Sequence, residues 1–322
     1  MPSRTARLSS GTGIFILASV PYLSARNGGT PLKSFNSPAW LNLLYVPTVV
    51  LLLTFIVYPL ANGVKISFTD WDGFSQTWDW IGFGNYRRMF HDQDTLIVIY
   101  NTFIYGVGST FFQNVIGLAY ALFLNYKMRT AGIAKTIIYL PVIISPLIMG
   151  YVWYFFFQYN GGAINDIILL FKSSPIDLLG NSKVNVWMIT FVNTYQFLGI
   201  AMVIYLAGLQ VIPKDYYEAA AIDGASSFSK FKNVTLPLLA PSMTISIVLN
   251  LIGGFKLYDV VVSLTNGGPG YASSSLSTYM YRQYFTRQDA GYASSLGILM
   301  FAIISLISLT ALYYLRRREQ DI

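Results

Sequence analysis

Long apolar runs alternate with shorter polar segments over most of the chain. A helix that crosses a bilayer needs about 20 predominantly apolar residues. Six runs reach that length, and they cover residues 41–68, 96–124, 132–157, 184–212, 242–264 and 294–315. The pattern therefore predicts an all-α, polytopic membrane protein with six transmembrane helices.

One polar stretch, residues 213–241, separates the fourth apolar run from the fifth, and we call it the polar island. It is predicted to form two short helices joined by a turn. Gly224 suits the end of the first helix, because glycine accepts a positive φ at little cost. Ser226 or Ser227 can cap the second helix, which Pro237 and Pro241 are expected to end. A helix–turn–helix of this kind at a membrane surface is a candidate docking surface.

Positive charges predict the orientation of the spans, since cytoplasmic loops carry an excess of lysine and arginine. With the N-terminus inside, the inner segments hold about twice as many of these residues as the outer loops. The run Arg316, Arg317 and Arg318 after the last span is the strongest single indication. Both termini and the polar island are thus predicted to be cytoplasmic, in a multi-pass protein of the cell membrane.

Three regions follow from this topology. Residues 1–38 are expected to form a cytoplasmic tail, amphipathic or disordered in part. Their short apolar run, 13–23, is similar to a weak signal peptide, but it is too short to span, and cleavage would conflict with the charge pattern. Residues 39–316 are predicted to form the transmembrane domain, and residues 317–322 a cytoplasmic tail.

The composition fits a membrane protein and excludes several functions. Hydrophobic residues make up 54% of the chain and charged residues 11%, about half the charged share of a soluble domain. Without cysteine there is no disulfide or thiolate metal site, and one histidine, His91, leaves little room for histidine chemistry. No phosphate-binding G-x-x-x-x-G-K-[ST] motif occurs. We expect no metal, no cofactor, no nucleic-acid partner and no enzymatic activity in this chain.

Polar residues within the apolar runs are candidates for a solute pathway. A charge at the bilayer centre costs about 2.5–3.5 kcal/mol, so such groups should face the protein interior or an aqueous cavity. The pathway candidates are Asn193, Tyr195, Gln196, Asn250, Lys256, Tyr258 and Asp259, and the second run adds Asn101, Gln113 and Asn114. Interhelical hydrogen bonding is the simpler explanation for any one of them. As a set, amides and tyrosines suit a neutral, hydroxyl-rich solute.

Two further expectations concern charge and aromatic residues. Lys256 and Asp259 are three positions apart in the fifth run, so they should share a helix face and could pair. Tryptophans and aspartates alternate in the loop after the first run: Asp70, Trp71, Asp72, Trp78, Asp79 and Trp80. An aromatic belt at the membrane interface is the preferred interpretation, with stacking on sugar rings as the alternative.

The polar island carries a motif of known type. The residues that form it are Glu218, Ala219, Ala220, Asp223, Gly224, Ala225, Phe231, Leu236 and Pro237. Their sequence and spacing resemble the EAA loop of binding-protein-dependent ABC import permeases. The stretch 255–259, with Leu264 to Pro269 after it, is similar to the fifth-span signature of carbohydrate permeases of the maltose, lactose and multiple-sugar type.

This resemblance implies a subunit of an ATP-driven importer that works by alternating access. The chain would pair with a second permease, dock on two ATP-binding subunits and receive a carbohydrate from an extracytoplasmic solute-binding protein. The island would be the coupling (EAA) loop, with Glu218 as the charged contact and Gly224 as the turn. ATP and Mg would be used by the partner subunits.

Other functions stay open at this point. An ABC permease for an amino acid, a peptide or phosphate is the nearest alternative within the same class of transporter. A secondary carrier would need broken helices in inverted repeats and usually several carboxylates in its spans, and neither pattern is evident in the sequence. A membrane scaffold or receptor subunit is the third alternative.

Overall fold

The computed structural model describes residues 45–126 and 129–320, and within these ranges all regular structure is helical. The predicted tail 1–38 lies outside them. Numbered in chain order, the helices are α1 (Tyr45–Ile66), α2 (Gly84–His91), α3 (Gln93–Leu124), α4 (Ala131–Ile143), α5 (Pro146–Phe157), α6 (Ala163–Leu169), α7 (Asn185–Val211), α8 (Lys214–Ile222), α9 (Ser227–Leu238), α10 (Ala240–Phe255), α11 (Asp259–Thr265), α12 (Leu276–Phe285) and α13 (Ala290–Gln320).

By its contacts the chain divides into Met1–Leu51 and Leu52–Ile322. Of the first unit the structure describes only the opening residues of α1, so the sites discussed below lie in the second. Four helices, α1, α3, α7 and α13, are each long and apolar enough to cross a membrane. Two bent pairs, α4 with α5 and α9 with α10, raise the count of spans to six if each pair crosses once.

The third predicted span is not one helix. The axes of α4 and α5 differ by 99°, and the chain between them is extended at Ile144 and Ser145. Pro146 causes this break, because a proline ring disfavours the α conformation of the residue before it. Pro146 then starts α5, where a missing N–H costs nothing.

The fifth predicted span, 242–264, is also interrupted. Helix α10 ends at Phe255, residues 256–258 form the break, and α11 begins at Asp259. The adjacent Gly253 and Gly254 near the end of α10 weaken a helix at this point, since glycine loses the most conformational freedom on folding. A single continuous fifth helix is therefore a wrong prediction.

Helix α9 ends at Leu238, between Pro237 and Pro241, so the second helix of the polar island stops where the sequence predicts. Pro237 lies within α9, and Pro241 lies in the first turn of α10. A proline is tolerated there, because first-turn N–H groups have no partner within the helix. The chain bends by 67° between the two helices instead of leaving the helical conformation.

Helix α7 is the centre of the packing. Apolar residues line most of its circumference, as expected for a helix with neighbours on several sides. Gly117 brings α3 close to it, because a Cβ on Gly117 would lie 2.7 Å from the Cβ of Ala201. Gly199 similarly faces the backbone of α4 at Ile138 and Tyr139. Small residues thus set the distances between the helices.

Two polar residues of the second run hold other parts of the chain in place. The amide of Asn101 donates to the carbonyl oxygen of Ala272 at 2.8 Å, in the segment between α11 and α12. The hydroxyl of Tyr205 donates to Oδ1 of Asn114 at 2.6 Å, which joins α7 to α3. Hydrogen bonding within the protein, the simpler explanation, is confirmed for both.

A carboxylate cluster joins the start of α3 to α12 and α13. Oδ2 of Asp92 accepts hydrogen bonds from the hydroxyls of Tyr279 at 2.8 Å, Thr95 at 3.0 Å and Tyr292 at 3.1 Å. Its Oδ1 accepts from the backbone N–H of Asp94 and so caps α3. Burial raises the pKa of Asp92, but the hydrogen bonds from these hydroxyls outweigh it and lower the pKa.

Candidate functional site

A cavity of about 320 Å³ opens where α3, α7 and α10 meet the break before α11, and we call it the polar cavity. Five of the seven pathway candidates line it: Asn193, Asn250, Lys256, Tyr258 and Asp259. Helix α7 supplies Asn193, and α10 supplies Asn250. Lys256 and Tyr258 belong to the break, and Asp259 begins α11. A polar lining from separate elements is typical of a solute-binding site.

Gln113 of α3, one of the polar residues that the second run adds, completes the wall. Its side chain is 2% exposed, and its Nε2 donates to the backbone carbonyl of Asn193 at 3.0 Å. Its Oε1 is buried and accepts no hydrogen bond from any residue that the structure describes. Such an oxygen is costly unless a partner reaches it.

Lys256 and Asp259 do not form the predicted pair on one helix face. Lys256 follows the last residue of α10, whereas Asp259 begins α11. In the part of the chain that the structure describes, Arg88 and Asp289 form a salt bridge, whereas Lys256 and Asp259 do not. Both side chains are exposed and line the polar cavity. The cavity therefore presents one positive and one negative group to a solute.

The two remaining candidates lie elsewhere. Tyr195 packs edge-on against Trp153, with ring centroids 5.4 Å apart, and lines a separate groove between α3 and α7. Gln196 is fully buried, and its Nε2 donates to the carbonyl oxygen of Ile144 at 2.9 Å. That carbonyl belongs to the break between α4 and α5, so Gln196 provides a hydrogen bond that the broken helix has lost.

The polar island forms the two helices that the sequence predicts, α8 and α9. Gly224 joins them with a φ of +74°, and the N–H of Ala225 donates to the carbonyl of Ala220 at 2.9 Å. This is the usual glycine-terminated helix end. Ser226 caps α9 as predicted, because its hydroxyl accepts from the N–H of Ser229. The turn is thus fixed by its own hydrogen bonds.

The motif residues of the island differ in exposure. Glu218, Ala219, Asp223 and Gly224 are exposed, whereas Ala220, Ala225, Phe231, Leu236 and Pro237 are half-buried. The hydroxyls of Tyr217 and Thr235 lie 3.1 Å apart and tie α8 to α9. Two large apolar side chains that the motif does not contain are the most exposed here: Ile222 at 86% and Phe228 at 72%. Apolar exposure of this extent is typical of an interaction surface.

In the tryptophan loop after α1, the carboxylate of Asp72 accepts hydrogen bonds from residues of the loop itself. The hydroxyl of Ser75 donates to Asp72 and, with backbone N–H groups, lowers the pKa of Asp72 to about 2. The indole N–H of Trp71 donates to the carbonyl of Ser75 at 2.8 Å. Trp80 stacks on Phe68 at 5.6 Å. Asp72 and the indole N–H of Trp71 therefore serve the loop's own fold.

Comparison with known proteins assigns the chain to a class. The family described as binding-protein-dependent transport system inner membrane component matches residues 113–321, well over half of the chain. The chain belongs to this family. The matched residues begin at Gln113 and include the polar island and the whole lining of the polar cavity.

Curated relatives in this family include sugar transport permeases. The probable starch degradation products transport system permease protein AmyD of Thermoanaerobacterium thermosulfurigenes is 33% identical over 293 residues, which are 90% of this chain and 98% of the relative. The trehalose/maltose transport system permease protein MalF of Thermococcus litoralis is 31% identical over 271 residues, 84% of this chain and 91% of the relative.

Solved structures share the fold. A chain of a bacterial ABC transporter that imports the acidic polysaccharide alginate matches with a TM-score of 0.74 at 24% identity, over 86% of this chain and 95% of that chain. A chain of the bacterial alginate ABC transporter in complex with an alginate pentasaccharide-bound periplasmic protein also has a TM-score of 0.74. It is 22% identical, and the match covers 87% of this chain and 95% of that chain.

Membership in the binding-protein-dependent permeases defines what kind of protein this is. The chain is a multi-pass membrane component of a transport system. Such components are not ATPases, and ATP is hydrolysed by separate subunits, so the chain itself is not an enzyme. The EAA motif of the polar island is consistent with this family.

Proposed function

We propose that the chain is one of two permease subunits of an ATP-driven importer for a sugar or oligosaccharide. An extracytoplasmic solute-binding protein delivers the carbohydrate, and two ATPase subunits bind and hydrolyse ATP with Mg. The relatives named for starch degradation products and for trehalose and maltose support a carbohydrate substrate. The alginate transporter in complex with its periplasmic protein supports the binding-protein partner.

One observation carries this proposal: the helices on either side of the polar island also line the polar cavity. Helix α7 places Asn193 in the cavity and ends two residues before the island. Helix α10 begins with the last two residues of the island and places Asn250 in the cavity. At 1.5 Å per residue, the 18 residues from Asn193 to Val211 span about 27 Å. A displacement of the island is thus transmitted to the cavity through rigid helices.

The proposed topology counts each bent helix pair as one span, which makes six. Both termini and the polar island then lie in the cytoplasm, as the lysine and arginine distribution predicts. Residues 39–316 form the permease domain, and 317–322 the end of the chain. The bilayer surrounds α1, since no residue in its apolar window is buried within this chain.

We assign the polar island to docking on an ATPase subunit. Glu218 accepts charge-assisted hydrogen bonds from a basic partner residue. Ala219 and Ala220 allow close approach of the helix, and the exposed Ile222 and Phe228 supply the apolar contact. The other motif residues serve the geometry of the loop: Asp223 and Gly224 at the turn, Ala225 after it, and Phe231, Leu236 and Pro237 against the membrane domain.

The polar cavity is the proposed sugar pathway. Asn193, Asn250 and Tyr258 offer amide and hydroxyl groups, and Lys256 and Asp259 offer one charge of each sign. Gln113 completes the wall of this cavity. Tyr195 and Gln196 stay predictions for another part of the path, because they lie outside this cavity.

Uptake by the reconstituted transporter tests the coupling role. Glu218→Lys and Gly224→Pro should reduce ATP-dependent sugar uptake into proteoliposomes at least tenfold, while each variant still inserts into the membrane. The matched controls are Asp166→Lys, which reverses an exposed charge on α6, and Gly161→Pro, at another turn with positive φ. Full uptake by both island variants would refute the coupling role.

The substrate class has its own test. The cognate solute-binding protein is screened by thermal shift against mono- and oligosaccharides, amino acids, peptides and phosphate. Stabilisation by carbohydrates alone is the expected result. If an amino acid, a peptide or phosphate stabilises the binding protein instead, the chain is still an importer subunit, but the proposed carbohydrate substrate is wrong.

A further inference from the structure

A second cavity of about 530 Å³ lies against α12 and the start of α13, and we call it the aromatic cavity. Four aromatic rings and two hydroxyl groups form most of its wall: Tyr258, Tyr281, Tyr284, Phe285, Ser277 and Ser294. A volume of this size falls within the range of small-molecule sites, which is roughly 300–1,000 Å³. The cavity is thus large enough to be more than a packing defect.

The sequence of α12 separates a packing face from a cavity face. Leu276 and Tyr279 are fully buried in the core that α12 shares with α3 and α13. Ser277, Tyr281 and Tyr284 follow the spacing i, i+4 and i+7, so they share the other face. Tyr281 is 46% exposed. The core does not require an aromatic ring at this position.

The rings form a connected series. The centroids of Tyr258 and Tyr281 lie 5.6 Å apart, those of Tyr281 and Phe285 4.6 Å apart, and those of Tyr284 and Phe285 4.8 Å apart. The face of an aromatic ring carries partial negative charge. One face of a pyranose ring presents C–H groups with partial positive charge, so a sugar can stack on such a surface.

Hydroxyl groups distinguish this surface from a site for a lipid chain. Tyr258, Tyr281 and Tyr284, which line the cavity, each carry a hydroxyl group. An acyl chain gains nothing from such groups, whereas the hydroxyls of a sugar can bond to them. The combination of stacking faces with tyrosine and serine hydroxyls in one wall therefore favours a carbohydrate.

Continuity with the polar cavity gives the surface a role. Tyr258 lines both cavities, so a chain of sugar units can extend from one to the other past a single ring. We infer that the aromatic cavity is a second sugar subsite, which holds one pyranose unit while another occupies the polar cavity. This inference rests on the proposed function, and it implies that longer oligosaccharides depend on the subsite more than single sugars do.

Uptake of sugars of different length tests the inference. The variants Tyr281→Ala and Phe285→Ala are reconstituted with their partner subunits and binding protein, and glucose, maltose and maltotetraose serve as probes. The KM for maltotetraose should rise about 5-fold, which corresponds to about 1 kcal/mol for one aromatic contact. The KM for glucose should change less than twofold. Tyr281→Phe keeps the ring and should restore most of the affinity.

Phe171→Ala is the matched control, because Phe171 is 85% exposed and lies outside both cavities. Equal KM values for variant and wild type at all lengths would overturn the subsite. So would loss of uptake at all lengths together with loss of the second permease on purification, since that result assigns the surface to subunit packing. If the wild type imports no sugar of any kind, the proposed function fails instead.

Discussion

Replacement of Asp92 by alanine tests whether its carboxylate cluster stabilises the fold. The change removes the acceptor on which the hydroxyls of Tyr279, Thr95 and Tyr292 converge. It also removes the side-chain cap of α3. Since the cluster joins three helices, the loss should appear in the stability of the whole membrane domain.

The magnitude follows from what each group loses. The buried hydroxyl of Tyr279 is left without its partner, and a hydrogen bond to a charged acceptor is worth about 1.5–3 kcal/mol. Tyr292 keeps a hydrogen bond to Thr95 at 2.8 Å, so it loses less. Loss of the cap costs about 1 kcal/mol. The sum is about 3–5 kcal/mol, and at roughly 2–4 °C per kcal/mol the Tm falls by about 10 °C.

The assay is thermal unfolding of the purified complex in detergent, followed by tryptophan fluorescence. Asp94→Ala is the matched control. It removes the same charge from the same turn, and Asp94 takes part in the cap through its backbone N–H, which the substitution keeps. Its expected Tm change is under 2 °C, from the weak favourable effect of an acidic group at a helix start. Equal shifts for the two variants would refute the reasoning.

Two further predictions concern pH and helix packing. Because the pKa of Asp92 is lowered in the folded protein, its contribution is present above the unfolded pKa of about 3.9 and is lost as pH falls below it. The Tm advantage of wild type over Asp92→Asn should thus be constant from pH 8 to about pH 5.5 and shrink in acid; a constant gap down to pH 3 would contradict this. Gly117→Ala should cost about 1–3 kcal/mol, because the added Cβ meets that of Ala201 at 2.7 Å. Gly132→Ala, with open space around it, should be neutral in the same unfolding assay, and equal losses would argue against tight packing at Gly117.

The spans were predictable where one helix crosses without interruption. The fourth run, 184–212, differs from α7 by one residue at each end. The second run, 96–124, begins three residues late but ends with α3. In both cases a long apolar stretch is bounded by polar residues, and the cost of burying backbone groups in lipid requires a helix.

The broken spans were not predictable from hydropathy. Residues on both sides of Ile144 and Ser145 are apolar, so the run continues although the backbone does not. Pro146 was the available signal, because a proline restricts the residue before it. The same applies to the fifth run, where Gly253 and Gly254 precede the break.

The site was partly accessible to reasoning about helix periodicity. Tyr195 is two residues from Asn193 on α7, which places it about 200° around the helix and away from the cavity. Gln196 is three residues away, and the tertiary contact with α4 and α5 determines its role. Gln113 was visible as a polar residue in an apolar run. Its place in the cavity depends on the approach of α3 to α7, which is a long-range contact.

The hydrogen bond from Gln196 to Ile144 bears on the order of events during membrane insertion. The carbonyl of Ile144 is freed by the break after α4, and an unsatisfied backbone group in lipid costs several kcal/mol. Its donor lies on α7, which leaves the ribosome about fifty residues later. We therefore expect the segment 131–157 to reach its bent form only when α7 has packed against it, so that insertion of the α4–α5 pair depends on α7.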